Sequence, residues 1–285
     1  MNVAVLGAGG FLGRNVVREL SLIADCQVTA VTSRTVSILG ASSMVEPSDL
    51  NNHVPGLSAI VNCAVSYGRN SPLSAYEANI AWPLSIIRLA ASREIPFLNI
   101  NSFYGKYPLA TYLPLRTYSL TKALLPVLGR QVFQEQCGDE SKFMDISLEH
   151  AYGPGDSVEK FIPWLLAQMK NQVKEIKLTD GVQLRDFVFV SDAARTIAVA
   201  THKLPEIDVL KPLEIGTSKA VPVRRLVEIA ASLTDYQGEL HFGAVVTPRG
   251  DISSSAADPY LRELLGLSYL SLEDGLSETL GKKFR

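Results

Sequence analysis

Met1-Asn2-Val3-Ala4-Val5-Leu6-Gly7-Ala8-Gly9-Gly10-Phe11-Leu12-Gly13, followed at once by a helix-patterned run over residues 14–21, is the stretch that decides the fold. A short apolar strand delivers the chain into a glycine cluster, and a helix begins where the cluster ends. That order is what a phosphate-binding turn requires. Gly7 permits backbone angles closed to other residues, Gly10 lets a pyrophosphate approach the backbone, and Gly13 lets the helix pack close to the strand. The first amides of the helix and its positive dipole end then face the phosphates. Strand before and helix after turn a weak glycine pattern into a dinucleotide-binding reading, with Phe11 and Leu12 in the first helical turn.

The 285 residues are 47% hydrophobic, enough for one large domain or two modest ones. The net charge of −2 gives no overall attraction to nucleic acid or to an anionic membrane. Cys26, Cys63 and Cys137 are far apart and odd in number. They form neither a metal-ligand spacing nor a disulfide framework, which points to a reducing cytoplasm. Residue 1 leads directly into a strand, so no signal peptide is expected, and no apolar run reaches membrane-spanning length.

Working outward, residues 27–32 read as a second strand, and Arg34 follows it. An acid at that place would hold the ribose 2′-hydroxyl of NAD, whereas an arginine suits the 2′-phosphate of NADP. With no acid at Val31, Thr32 or Ser33, NADP(H) is expected in preference to NAD(H). Residues 35–57 are polar and give no clear element. Strands are expected at 59–64, 96–100 and 143–148, and helices at 75–92 and 117–133, the latter kinked or divided by Pro126. Strand and helix thus alternate through residues 1–151, the pattern of a parallel sheet covered on both faces. The rhythm then breaks. The fold class expected is α/β, a Rossmann-type doubly wound parallel sheet with a smaller, interleaved α/β substrate domain. Residues 1–151 form the dinucleotide-binding domain. Residues 152–285 are mainly the substrate-binding domain, with some segments returning to the main sheet.

The chemistry is expected at Tyr118-Ser119-Leu120-Thr121-Lys122. Four residues make about one helical turn, so Tyr118 and Lys122 share a face. A lysine cation beside a phenol stabilises the phenolate and lowers its pKa from about 10. Such a phenol exchanges a proton with an alcohol or ketone near neutral pH.

Taken together, Gly7-x-x-Gly10-x-x-Gly13 and Tyr118-x-x-x-Lys122 resemble the extended short-chain dehydrogenase/reductases that act on nucleotide sugars, the NAD-dependent epimerase/dehydratase family. Asn79 in Glu77-Ala78-Asn79-Ile80, Tyr104-Gly105, Tyr152-Gly153-Pro154-Gly155-Asp156 and Arg185-Asp186-Phe187-Val188-Phe189-Val190-Ser191-Asp192 match further stretches of that family. A narrower resemblance, carried by residues 97–103, 148–156 and 160–163, is to nucleotide-sugar 4-ketoreductases of the CDP-abequose synthase type. The resemblance implies that Ala64 and Asn79 join the cofactor site and that Lys122 holds the nicotinamide ribose. It implies a nucleotide-diphospho-sugar as substrate, its diphosphate clamped by Arg185 and Arg249. His150, beside the Tyr152 turn, is either a substrate contact or a packed histidine, and Tyr67, just after the 59–64 strand, is either a sugar contact or a loop aromatic. It also implies a homodimer built through two packed helices, for which 75–92 and 117–133 could serve.

Two departures from the family shape the reading. Its usual serine or threonine is replaced by Ile100; Ser102, two residues on and on the same strand face, is offered as the substitute that bonds the substrate oxygen. Ile100-Asn101-Ser102 carries no acid or base to eliminate water, which argues against a dehydratase. The expected function is therefore NADPH-dependent reduction of a sugar ketone, with Tyr118 as proton donor and no metal. An NAD-dependent epimerase, a reductase of a non-nucleotide ketone and a non-catalytic cofactor sensor are the alternatives, the last disfavoured by the retained Tyr/Lys pair.

Overall fold

The computed structural model describes residues 1–33, 36–68, 71–107 and 115–282. The first half alternates strand and helix: β1 (Asn2–Leu6), α1 (Phe11–Ser21), β2 (Gln27–Val31), β3 (Ser43–Val45), α2 (Leu50–His53), β4 (Ala59–Asn62), α3 (Pro72–Tyr76), α4 (Trp82–Ala91), β5 (Phe97–Ser102), α5 (Arg116–Cys137) and β6 (Phe143–Leu148). The second half contains β7 (His150–Tyr152), α6 (Phe161–Lys170), β8 (Glu175–Leu178), β9 (Leu184–Arg185), β10 (Phe187–Phe189), α7 (Val190–His202), β11 (Glu214–Ile215), β12 (Val221–Pro222), α8 (Val223–Leu233), β13 (Glu239–Phe242), α9 (Tyr260–Leu264) and α10 (Leu272–Thr279).

Seven strands form one sheet in the order β11-β6-β5-β4-β1-β2-β3, and every pairing in it is parallel. The order reverses at β1, which has β2 on one side and β4 on the other. A crevice therefore opens at the carboxyl ends of β1 and β4, where ligands of such sheets bind. Alternation along β1 divides the core. Val3 and Val5 pack with Val16, Val17 and Ile197 on one face, while Ala4 and Leu6 pack with Ile87, Leu125 and Phe143 on the other. Helices α1 and α7 cover the first face, and α4 and α5 the second. Because β11 returns to pair with β6, residues beyond 151 contribute to this sheet as well as to a separate core around Tyr152, Leu165, Met169 and Leu226.

The helix expected over 75–92 begins earlier and is not uniform. Ser71 caps α3 by accepting from the Leu73 amide at 3.1 Å, with Pro72 in the first turn. Between α3 and α4 lies one π turn, Glu77–Ala81, a device that re-aims side chains and recurs at functional sites. The chain also runs helically through Pro126 without dividing, from Arg116 to Cys137. Burial of Leu125, Pro126, Gly129 and Phe133 against the sheet outweighs the hydrogen bond that proline cannot make. The polar 35–57 stretch supplies the short β3 and α2.

One buried carboxylate ties the second half together. Asp186, wholly inaccessible, accepts from the Thr217 amide and hydroxyl, the Ser218 amide and the Ala257 amide. Each orphaned donor costs about 1–3 kcal/mol. Asp186→Ala is therefore expected to lower the unfolding free energy by about 3 kcal/mol or more, measured by urea titration; an unmoved midpoint would show that the carboxylate staples nothing.

Candidate active site

The glycine turn is shaped for close approach. Gly7 has φ +72°, and a Cβ there would lie 2.7 Å from the Ala64 backbone; a Cβ on Gly13 would lie 2.3 Å from the Gly7 carbonyl oxygen. The turn after β1, the start of α1 and the loop after β4 are thus in contact as backbone on backbone. Gly10 is the N-cap of α1, offers no side-chain cap, and donates its own amide to Gly7 at 2.9 Å. The amides opening the helix at Phe11 and Leu12 have no partner within the helix itself. Gly7, Gly10, Phe11, Leu12, Gly13 and Ala64 therefore stand together, and their free space and N–H donors fit a dinucleotide pyrophosphate. Arg34 lies outside the described residues. Two further contacts reach this turn from the second half. The Arg14 guanidinium donates to the Gly155 carbonyl, and the Lys160 ammonium, paired with Asp156 at 2.9 Å, sits 5.2 Å from the Phe11 ring centre.

Asn79 faces inward from the π turn and is buried. Its amide oxygen accepts from the Ser66 amide at 2.8 Å, and its nitrogen donates to the Ser66 carbonyl at 2.8 Å and to the Thr121 hydroxyl at 3.0 Å. Thr121 in turn donates to the Tyr118 carbonyl at 2.8 Å. Asn79 thereby joins the loop after β4 to the first turns of α5. Along that loop Tyr67 packs on Tyr118, ring centres 4.9 Å apart, and Tyr104 meets Tyr118 edge-on at 6.1 Å.

The structure brings Tyr118, Lys122 and Ser102 together, the first two from one turn of α5 and Ser102 from the end of β5, but the electrostatics differ from the expectation. The Lys122 ammonium, on a side chain only 5% exposed as a residue, donates to the Ile100 carbonyl at 2.9 Å and lies 6.0 Å from the Tyr118 ring centre. The Tyr118 phenol is held well above its ordinary pKa, chiefly by burial, then by Tyr67; a hydrogen bond with the Ser102 hydroxyl pulls the other way. The lowered phenol inferred from the lysine alone is thus corrected, because desolvation, with Tyr67 and Tyr104 packed against the ring, outweighs a cation bound elsewhere. Burial instead lowers Lys122 to about 8, opposed by Asp145 and Cys63. Ser102 ends β5, and its oxygen also accepts the Tyr104 amide at 3.3 Å.

The remaining residues lie in the second half and on its border. His150 is packed against Phe103 at 4.3 Å and Phe187 at 5.8 Å between ring centres. Burial, then Arg185 and Lys160, push it down to about 3, so the ring is neutral. Its Nδ1 is buried without a hydrogen-bond partner among the described residues. Arg185 is 4% exposed and donates to the Leu184 carbonyl at 2.9 Å and to Asp251 at 2.8 Å. Its charge is already matched within the chain, which the sequence did not suggest. Arg249 is exposed on the loop that carries Asp251. Beside His150, Glu149 accepts from the Ser255 hydroxyl with both oxygens, at 2.7 and 2.8 Å, and faces Lys106 at 3.8 Å. Sequence reasoning missed Thr121, Lys106 and Ser255, none of which stands out by spacing. Among the described residues no group of three His, Cys, Asp or Glu side chains is placed to hold a metal ion, and no helix is long and apolar enough to cross a membrane.

Residues 3–216 match the NAD dependent epimerase/dehydratase family. The chain is 30% identical to CDP-abequose synthase of Salmonella muenchen over 243 residues, 83% of this chain and 78% of that protein. It is 28% identical to CDP-abequose synthase of Salmonella typhimurium over 274 residues, 90% and 89% of the two chains. Among solved structures, UDP-glucuronic acid 4-epimerase from Bacillus cereus, in complex with UDP-glucuronic acid and NAD, superimposes with a TM-score of 0.80 at 17% identity, covering 99% of this chain and 98% of its own. The chain belongs to the NAD dependent epimerase/dehydratase family.

Gly13→Ala puts a methyl group into the Gly7 carbonyl and should weaken nicotinamide dinucleotide binding at least about tenfold, a loss of about 1.4 kcal/mol. Quenching of protein fluorescence by the cofactor checks it; an unchanged dissociation constant would detach the turn from cofactor binding.

Proposed function

We propose that this chain reduces the keto group of a nucleotide-linked sugar with NADPH, the sugar being a 4-keto-6-deoxyhexose destined for a surface polysaccharide or glycoside. The observation that carries the reading is the convergence of two hydroxyls, Ser102 and Tyr118, above a buried lysine at the carboxyl edge of the sheet. The likeness to two CDP-abequose synthases supports a nucleotide-sugar substrate. Arg34, and the lack of an acid at residues 31–33, support NADP(H) over NAD(H).

Gly7, Gly10, Phe11, Leu12, Gly13, Ala64 and Asn79 would form or shape the cofactor site, with Tyr118 and Lys122 at its nicotinamide end. When bound, the nicotinamide supplies the hydride. Ser102 donates a hydrogen bond to the ketone oxygen and orients it. Tyr118 delivers its proton to that oxygen as charge develops there. A phenol raised by burial stays fully protonated at neutral pH, which suits a proton donor. Lys122, charged below about pH 8, stabilises the phenolate left behind. Ile100-Asn101-Ser102 offers no group to expel water, so reduction rather than dehydration fits the site.

The 152–285 portion would bind the nucleotide-diphospho-sugar beside the 1–151 dinucleotide-binding portion. Arg185 would exchange its Asp251 contact for diphosphate oxygens, joined by Arg249, with Tyr67 and His150 bordering the sugar. Leu124, Val127 and Leu128 are exposed on α5 at helical spacing, and a homodimer packed through α4 and α5 would cover them.

NADPH oxidation should be screened against CDP-, dTDP-, UDP- and GDP-linked 4-keto-6-deoxy sugars. One of these should be turned over; a chain that purifies with retained nicotinamide and interconverts two sugars would be an epimerase instead. Tyr118→Phe should lower kcat by about 10²–10⁴-fold with NADPH affinity unchanged, and near wild-type turnover would remove Tyr118 from the chemistry.

A further inference from the structure

Beneath the catalytic pair, three neighbouring strands of the sheet carry an array of four polar side chains joined by hydrogen bonds. Register places Asn62 of β4, Asn99 of β5 and Asp145 of β6 side by side. Asn62 Nδ2 donates to Asn99 Oδ1 at 2.9 Å, and Asn99 Nδ2 donates to Asp145 Oδ1 at 2.6 Å. Asn101, next on the same face of β5, donates its Nδ2 to Asp145 Oδ2 at 2.8 Å. Asn62, Asn99 and Asn101 are buried and Asp145 is partly buried.

An ionised carboxylate only accepts. Both neighbouring amides must therefore turn their NH₂ groups towards Asp145, which forces their oxygens the other way. The Asn101 oxygen then receives the Ser102 amide at 2.8 Å. The Asn99 oxygen receives Asn62, whose own oxygen is left to accept the Ala64 amide at 3.2 Å. One charge thus sets the orientation of three amides and, through them, the backbone under the Ser102 hydroxyl and the backbone against Gly7. Helix α5 lies over this array. A Cβ on Gly105 would touch the Asn101 amide at 3.1 Å and the Lys122 backbone at 3.3 Å. Burial raises the Asp145 carboxyl; the hydrogen bonds it accepts from Asn101 and Asn99, then the charges of Lys122 and Arg130 on α5, pull it back down. Lys122 in turn is held up by the charge of Asp145 and, just past β4, by Cys63.

We propose that Asp145 is a positioning residue for the reductase reading, orienting the Asn62–Asn99–Asn101 array under Ser102 and Ala64 and supplying the counter-charge of Lys122. The proposal rests on that reading for its place in the reaction, but its physical content is measurable without a substrate. Burial pulls Lys122 down to about 8 while Asp145 holds it up, so loss of the carboxylate must move the lysine further down. Asp145→Asn also sets an NH₂ against an NH₂, so one amide of the array must rotate.

The test titrates the Lys122 side chain by NMR in the full chain, its signal assigned with Lys122→Met. In Asp145→Asn the Lys122 midpoint should fall by about one pH unit, the shift expected from losing a nearby opposite charge. In the reductase assay the alkaline limb of kcat should move down with it, and kcat should fall about tenfold, within the loss that misplacing a reacting group can cause, with KM for the nucleotide sugar changed less than threefold. If Asp145→Asn does not fold, the wild-type carboxyl carbon of Asp145 decides. It should inflect at the Lys122 midpoint and lose that inflection in Lys122→Met. An unmoved Lys122 midpoint in folded Asp145→Asn, or a wild-type Asp145 signal blind to that midpoint, overturns the proposal. Coupled titrations in a protein that turns over no nucleotide sugar would uphold Asp145's hold on Lys122 and sink the reductase reading alone.

Discussion

Everything at the carboxyl edge of the sheet depends on keeping one ammonium group inside the protein. A lysine charge out of water costs several kcal/mol unless partners replace its hydration. Lys122 recovers part of that through the Ile100 carbonyl and part through the field of Asp145. The first partner needs β5 to end where it does. The second needs β6 in register with β5, so that Asp145 stands across from Asn99. Helix α5 must also lie close enough for Lys122 to bond the Ile100 carbonyl and feel the Asp145 charge, and the contact of Gly105 with Asn101 and the Lys122 backbone sets that closeness. The identity of residue 100 then matters less than its main chain. An isoleucine there gives up a hydroxyl yet still offers the carbonyl that holds the lysine, and Ser102 supplies a hydroxyl from the same strand face.

What could be read from the chain and what could not divides along the range of the forces involved. The β1 turn and α1 were legible because strand alternation, glycine spacing and helix start lie within twenty-odd consecutive residues. Tyr118 and Lys122 were legible as neighbours because four residues on a helix fix their relation. The direction of the phenol's pKa was not. It is set chiefly by burial, then by Tyr67 and to a lesser degree Tyr104, which arrive from other loops, and burial of that kind has no local signature. The asparagines of β5 were visible as polar residues alternating with Leu98 and Ile100. Their meaning required Asp145, 46 residues later, and only the parallel register supplies it. The π turn that aims Asn79 has no sequence cue, and β3 is three residues in a polar stretch where propensity says little.

The two halves of the chain are joined at the site rather than merely adjacent to it. Arg14, one residue past the last glycine of the turn, bonds the Gly155 carbonyl, and Lys160 spans from Asp156 to the face of Phe11. The Tyr152-Gly153-Pro154-Gly155-Asp156 motif is therefore not only a border of the second half. It is a strap across the opening of the first, and displacement of α1 would be felt at the residues flanking His150.

Near neutrality the pH response of this region falls on few groups. His150 stays neutral because burial, with Arg185 and Lys160 nearby, pushes it down to about 3. Tyr118 and Tyr152 are pushed the other way by burial and stay protonated. Lys122 at about 8 and Glu149 at about 7 are left to change charge. They act on the two ends of one short segment: Lys122 grips the Ile100 carbonyl before Ser102, and Glu149, with Glu214, faces Lys106 four residues beyond it. Acidification protonates Glu149 and weakens the outer anchor; alkalinity neutralises Lys122 and weakens the inner one. Ser102 sits between the two anchors, so its placement depends on charge being kept at both ends of the segment.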